Sequence, residues 1–295
     1  MLAPAVPVLV SSMAKGILLV WHQRILAFGS HNRDTMSALS PSHFIFLVFV
    51  SPFPFLHFHF SCHVLYTIDA ELMTDGFSQE QSTNDIWRCI CVAVQRAISQ
   101  HNIDPETVRG IGFDATCSLS VFSNVTDEPI SVTGPNFDSD RNVILWLDHR
   151  PVEETEKVNS TNHNLLRYVG GKMSIEMEIP KVLWLKNHMP KDLFDQCKFY
   201  DLADALTHIA TGNEKRSFCS VVCKQGYVPV GVDGSVKGWQ EDFLAEIGLG
   251  DLTQEDFKRM GGVDGVVSLF LCFRFLLDYI ILFMLTADCS RTAIT

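Results

Sequence analysis

Short apolar runs that end in acid, hydroxyl and thiol side chains constrain this chain more than any other feature. In "GIGFDATCSLSVF", residues 110–122, Ile111 and Phe113, with Val108 just upstream and two glycines, read as a strand buried on both faces. Residues 114–118 read as the loop leaving its carboxyl end. "RNVILWLDHR", residues 141–150, is a second short apolar run ending in charge, and "FYDLADALTHIATGN" runs from a strand or turn into a helix that Thr211-Gly212-Asn213 ends. Helical spacing separates these runs. "STNDIWRCICVAVQRAISQHN" sets Ile86, Ile90, Ala93, Val94, Ala97 and Ile98 on one stripe, with Ser82 or Thr83 as N-cap and Asp85 in the first turn. "EIPKVLWLKNHMP" starts a helix with Pro180 in its first turn. Alternating strands and helices predict an α/β domain, and in open α/β sheets ligands bind just beyond strand carboxyl ends. The loops at 114–118 and 148–150 are therefore candidate binding loops; an ordinary capped strand-to-turn transition is the alternative.

Charge is distributed in zones. Residues 35–68 contain no Asp, Glu, Lys or Arg, and the phenylalanine-rich run inside them carries Pro52, Pro54 and four histidines between His43 and His63, which count against a membrane helix. The tail, residues 266–287, has the length of a span, but Arg274 and Asp278 sit in its middle on one helical face, costly in lipid unless they pair. The domain reading is thus an aberrant front at 1–80, a globular domain at 81–262 and an apolar tail at 263–295. With 23 basic against 34 acidic residues the net charge is −11, and no basic block could neutralise several phosphates, so no nucleic-acid partner is expected. Nine scattered cysteines, with only Cys89-x-Cys91 and Cys219-x3-Cys223 close and no histidine beside either, fit reduced thiols in the cytoplasm. Cys117, Cys219 and Cys223 are expected to pack as small hydrophobes, and Trp146 and Trp184 to be core.

The blocks "GIGFDATCSLSVF", "RNVILWLDHR", "YVGGKMSIEMEIPKVLWLK", "FYDLADALTHIATG" and "GWQEDFLAEIGLGDL" resemble, in this order, the amino-terminal domain of the FGGY carbohydrate kinases, ribulokinase-like branch. The resemblance implies an actin-like, ribonuclease-H-like ATPase fold, present here as an incomplete FGGY amino-terminal domain. It also implies transfer of the γ-phosphoryl group of ATP, with Mg, to a hydroxyl of a ketopentose such as ribulose.

A polyol needs several fixed hydrogen-bond partners, because a site left with unpaired groups rejects the wrong molecule. Asp114, Ala115 and Thr116 on the first loop and Asp148 on the second supply such partners, and the resemblance adds a substrate contact at Lys181. Each has a bland counterpart: Asp148 with Arg150 an ion pair holding the loop, the role favoured for Arg150, and Lys181 a solvated surface charge. The family's opening hairpin, D-x-G-T-x-S-x-R, has as its nearest stretch "SSMAKGILLVWHQRILAFGS", which lacks the Asp and the Gly-Thr pair that hold Mg and the ATP phosphates. The family's aspartate base is not matched either; Asp264, between glycines, has unlike surroundings, so no catalytic residue is assigned. The expectation is a cytoplasmic sugar-kinase domain with its sugar loops kept and its ATP machinery incomplete. The alternatives are a non-catalytic sugar-binding or regulatory module, and a protein anchored to a membrane through 266–287. Nothing in the sequence fixes an oligomeric state.

Overall fold

The computed structural model describes residues 43–50, 60–67, 73–74, 78–100, 108–111, 113, 115–228 and 238–267. The stretch 11–30, Asp114, the side chains of Ala93 and Ala97, and the tail from 268 onward lie outside the described residues.

In chain order the strands are β1 (His43–Val50), β2 (Phe60–Thr67), β3 (Met73–Thr74), β4 (Gln79–Gln81), β5 (Val108–Ile111), β6 (Leu119–Ser123), β7 (Val143–Ile144), β8 (Cys197–Asp201), β9 (Arg216–Ser217) and β10 (Val266–Val267). The helices used below are α1 (Thr83–Gln100), α2 (Val152–Ser160), α3 (Glu178–His188), α4 (Lys191–Phe194), α5 (Leu202–Thr211), α6 (Phe218–Lys224) and α7 (Glu241–Ile247). The charge-free front run forms a hairpin, not a helix: β1 and β2 pair antiparallel from His43 opposite Thr67 to Val50 opposite Phe60. Aromatic and β-branched residues suit a pleated surface, and Pro52 and Pro54 fall in sequence between the strands. β5 then joins β1 antiparallel, with a register shift between Phe49 and Val50.

The main sheet runs β3-β4-β7-β6-β8, antiparallel throughout. Successive residues of its strands belong to different clusters, as a period of two requires. Val121, Ile144 and Phe199 enter the large core with Ile179, Val182 and Leu183 of α3 and Phe243 and Leu244 of α7. Val143 joins Ile86, Ile90 and Val94 of α1 and Leu202 and Leu206 of α5 on the other face. Helices therefore cover both faces, as the alternation predicted.

Local signals landed where they were read. Ser82 takes the N-cap position, its carbonyl accepting from Ile86 N–H at 3.0 Å, while the Thr83 hydroxyl donates to Asn142 Oδ1 at 3.0 Å. Pro180 lies in the first turn of α3. Gly212 closes α5 at φ 65°, a left-handed position that costs glycine nothing. Among the described residues no helix is long and apolar enough to cross a membrane.

Candidate functional site

β6 is antiparallel to both neighbours, so its first residue sits at their last: Leu119 pairs with Ile144 of β7 and with Asp201 of β8. The loop entering β6 and the loops leaving β7 and β8 are thereby delivered to one edge. Hydrogen bonds lock them. Ser118 Oγ accepts from Trp146 N–H at 3.3 Å and contacts Thr116 Oγ1 at 3.1 Å, and Ser118 carbonyl accepts from Leu202 N–H at 2.9 Å. Thr116 is exposed and Ala115 half-buried at this edge.

Lys181 ties α3 to the same place. It is fully buried, not a solvated surface charge, and its ammonium donates to the carbonyls of Glu176 at 2.9 Å and Ile175 at 3.0 Å. Two longer contacts, 3.4 Å each, reach the carbonyls of Met177 and Trp146. An ammonium has three N–H groups, so the strong bonds use two and the third is weakly committed. Burial outweighs the nearby carboxylates of Asp148 and Glu178 and brings the Lys181 pKa down to about 8.

Asp148 is also fully buried, and its carboxylate is taken up within the protein. It accepts from Gln79 N–H at 2.6 Å and from the Arg150 guanidinium at 2.7 to 3.0 Å. Arg150 continues to Glu80 Oε1 at 2.7 Å and to the Val132 carbonyl at 3.2 Å, with its guanidinium 4.8 Å from the Trp184 ring centroid. Burial works against the charge, but the bonds to Asp148 and Glu80 prevail and raise the Arg150 pKa above its ordinary value. The pair thus has the loop-holding geometry. Trp184 is half-buried and stacked on His188 with centroids 4.3 Å apart, so it serves as a platform for Arg150 as well as packing on the core. Cys117 is half-buried and Cys219 and Cys223 are exposed, one turn apart on a short helix whose Ser220 and Val221 face inward; their packing as small hydrophobes is corrected.

Sequence reasoning missed a buried polar cluster directly behind the first loop. Asp201, at the end of β8, accepts from Lys224 Nζ at 2.9 and 3.0 Å and from the Ser220 hydroxyl at 3.0 Å; Glu178, at the start of α3, accepts from Gln225 Nε2 at 2.6 Å. Leu202 N–H, next to Asp201, holds the Ser118 carbonyl, which puts the cluster at the loop, and burial pushes the Cys117 thiol up. Asp204, one turn into α5, accepts from Ser217 N–H at 3.0 Å; burial and then Asp201 raise its pKa to about 7. Such an acid keeps its proton in the native state between its unfolded value, about 4, and about 7, so the native state loses relative stability as pH rises through that window. Asp204→Asn should flatten that fall, read as urea midpoints at pH 5 and pH 8.

At the far end of β6 and β8, where Ser123 pairs with Cys197, Asp127, His208 and Glu214 bring ligand atoms within 4.8 Å of one another. Lys198 Nζ lies 2.5 Å from Asp127 Oδ1 and 2.7 Å from Glu214 Oε1. An ammonium occupies the position a divalent ion would take, and the group does not fit a nucleotide-bound Mg. Asp264 is exposed and its carbonyl accepts from Lys215 Nζ at 2.8 Å. No step through ATP or Mg follows from the described residues.

The model of the amino-terminal domain of the FGGY family of carbohydrate kinases matches residues 68–224. The chain belongs to the FGGY carbohydrate kinase family. A D-ribulokinase of Saccharomyces cerevisiae is 56% identical over 183 residues, 62% of this chain and 26% of that protein. The FGGY carbohydrate kinase domain-containing protein of Homo sapiens is 43% identical over 184 residues, 62% of this chain and 31% of its own length. The chain thus spans between a quarter and a third of these relatives. The crystal structure of a xylulose kinase from Brucella ovis superposes with TM-score 0.52 at 18% identity, over 64% of this chain and 36% of that one, a likeness of fold. The FGGY domain seen here has the actin-like, ribonuclease-H-like ATPase fold, as the sequence resemblance implied.

Proposed function

We propose that this FGGY chain carries the sugar-binding loops of a ketopentose kinase acting in the cytoplasm, with ribulose the aptest substrate and ATP the donor in the complete reaction. The observation that carries the reading is the hydrogen-bonded meeting of three loops at one sheet edge, with the Lys181 ammonium reaching the Trp146 carbonyl beneath Ser118. Thr116, the Ala115 backbone and Asp114 would meet sugar hydroxyls, Lys181 would lend its weakly committed N–H to a sugar oxygen, and Asp148 would act by holding its loop through Arg150. The 56% identity to a D-ribulokinase supports ribulose over other sugars. Cys89, Cys91, Cys117, Cys197, Cys219 and Cys223 are free thiols, in keeping with a reducing compartment.

The phosphate-holding hairpin pattern is missing from the sequence, so the chain alone is proposed to bind sugar without efficient phosphoryl transfer, a reaction that depends on positioning and charge stabilisation. Differential scanning fluorimetry tests both parts. Saturating D-ribulose at about a hundred times Kd should add ~2.7 kcal/mol, a rise of several degrees in Tm, whereas Mg-ATP alone should leave Tm unchanged. A shift with ATP would remove the incomplete-machinery part; no shift with any ketopentose would remove the sugar site.

A further inference from the structure

Glu178 and Asp201 are both fully buried, and together they face more negative charge than the cluster can offset. Asp201 is satisfied by Lys224 on both oxygens and by Ser220. Glu178 has one neutral donor, the Gln225 amide on Oε2, and its buried Oε1 has no donor at all. Lys224 and Gln225, successive residues at the end of α6, bond Asp201 and Glu178 respectively, which brings the two carboxyls side by side. Lys181, the other ammonium nearby, gives its two strong bonds to backbone carbonyls and none to either carboxyl. Two neighbouring buried carboxylates with one ammonium cannot both ionise out of water, and two acceptor groups side by side are paired only if one carries hydrogen.

We propose that Glu178 and Asp201 hold one proton between them, carried by the Glu178 carboxyl and donated to Asp201, and that this pair is the positioning group for Lys181 and the 115–118 loop. The proposal rests on the sugar-site reading for its functional half only. Its leverage comes from position: Glu178 opens α3 three residues before Lys181, and Asp201 precedes Leu202, whose N–H holds the Ser118 carbonyl. Singly protonated, the pair draws the start of α3 onto the end of β8. Doubly ionised, it would push them apart and separate Lys181 from the Trp146 and Ser118 contacts. Burial and Asp201 both raise the Glu178 pKa well above the ordinary carboxylate value, in keeping with the geometry. The charged and titratable groups facing the pair are Lys224 and Cys223 of α6, Lys181 of α3, Cys117 of the loop and Asp204 of α5.

Glu178→Gln keeps the shape, still donates to Asp201 and cannot lose a proton. Two titrations of the full chain decide the matter, both in an Asp204→Asn background that removes the neighbouring acid. In urea unfolding without sugar, the parent should lose stability as pH rises through the pair's ionisation, because the native state holds a proton the unfolded chain releases; Glu178→Gln should lack that fall. In calorimetry with D-ribulose, the parent Kd should weaken by up to about tenfold per pH unit above that ionisation, and the variant should hold its neutral-pH affinity. Equal slopes in the urea experiment overturn the shared proton. A flattened urea slope with unchanged sugar titration overturns the positioning role. Failure of either protein to bind ribulose at any pH defeats the sugar-site reading, and with it the positioning role, while the urea comparison still decides the shared proton. If Glu178→Gln does not fold, infrared titration of the parent replaces it: a protonated-carboxyl absorption present at neutral pH and lost on alkalinisation supports the pair, and none at neutral pH refutes it.

Discussion

Replacing Arg150 by methionine is expected to destabilise the domain by about 3–5 kcal/mol, the range for breaking a buried ion pair by removing one partner. The Arg150 guanidinium bridges two buried carboxylates, with side-chain exposures of 5% for Arg150, 4% for Glu80 and 0% for Asp148. Removing it leaves Asp148 with the Gln79 and Arg150 backbone N–H groups and Glu80 with the Thr133 hydroxyl at 2.5 Å. Neither neutral set replaces a counter-charge in a low-dielectric interior. The Coulomb energy of the pair is not itself the measure, since hydrophobic replacement of all partners together can be nearly neutral. Two variants therefore separate the causes: Arg150→Met alone should shift the urea midpoint strongly, and a triple variant with Glu80→Gln and Asp148→Asn should recover most of the loss. A midpoint unmoved by Arg150→Met would mean the carboxylates are already solvated or protonated. Sugar binding should fall with the single variant because the second loop loses its brace.

How much of this could be read beforehand depends on how local each signal is. The helix at 83–100, the Pro180 start and the Gly212 stop are written in residues within a turn or two, and they formed as read. Asp114, Thr116 and Asp148 were singled out because an apolar run ended in polar residues; the structure brings the 115–118 loop and the Trp146 to Asp148 turn together and leaves Asp114 outside the described residues. The same signal stood at "FYDLAD", where Asp201 closes β8, but its weight came only from Lys224, 23 residues on, and from Glu178, 23 residues before. Pairings at that separation have no period to reveal them. For the front run the prolines and histidines already counted against a membrane helix, but its strands could not be read locally, because one of β1's partners is β5, about sixty residues away. Exposure of Cys219 and Cys223 follows from which face of α6 meets Asp201, again a tertiary fact.

Lys181→Met is expected to abolish the ribulose-dependent rise in Tm while changing stability without ligand by less than ~2 kcal/mol, because two effects oppose one another. A lysine held to a pKa of about 8 in the native state and about 10.4 unfolded costs roughly 3 kcal/mol at neutral pH. Methionine relieves that cost and fills a similar volume. Against this, the carbonyls of Ile175 and Glu176 lose good donors, at about 1–3 kcal/mol each if left dry, and those of Met177 and Trp146 lose weak ones. The sign of the lysine's contribution is open to direct check. Between pH 8 and 10 the unfolded chain holds a proton that the native lysine has released, so this group makes the protein more stable as pH rises, opposite to Glu178. Subtracting the Lys181→Met urea profile from that of the parent isolates the upward slope. A parent-minus-variant curve that is flat over this window would show that the ammonium is not desolvated. Undiminished ribulose stabilisation in Lys181→Met would take the lysine out of the site, because no other described cation donates to the Trp146 carbonyl beneath Ser118.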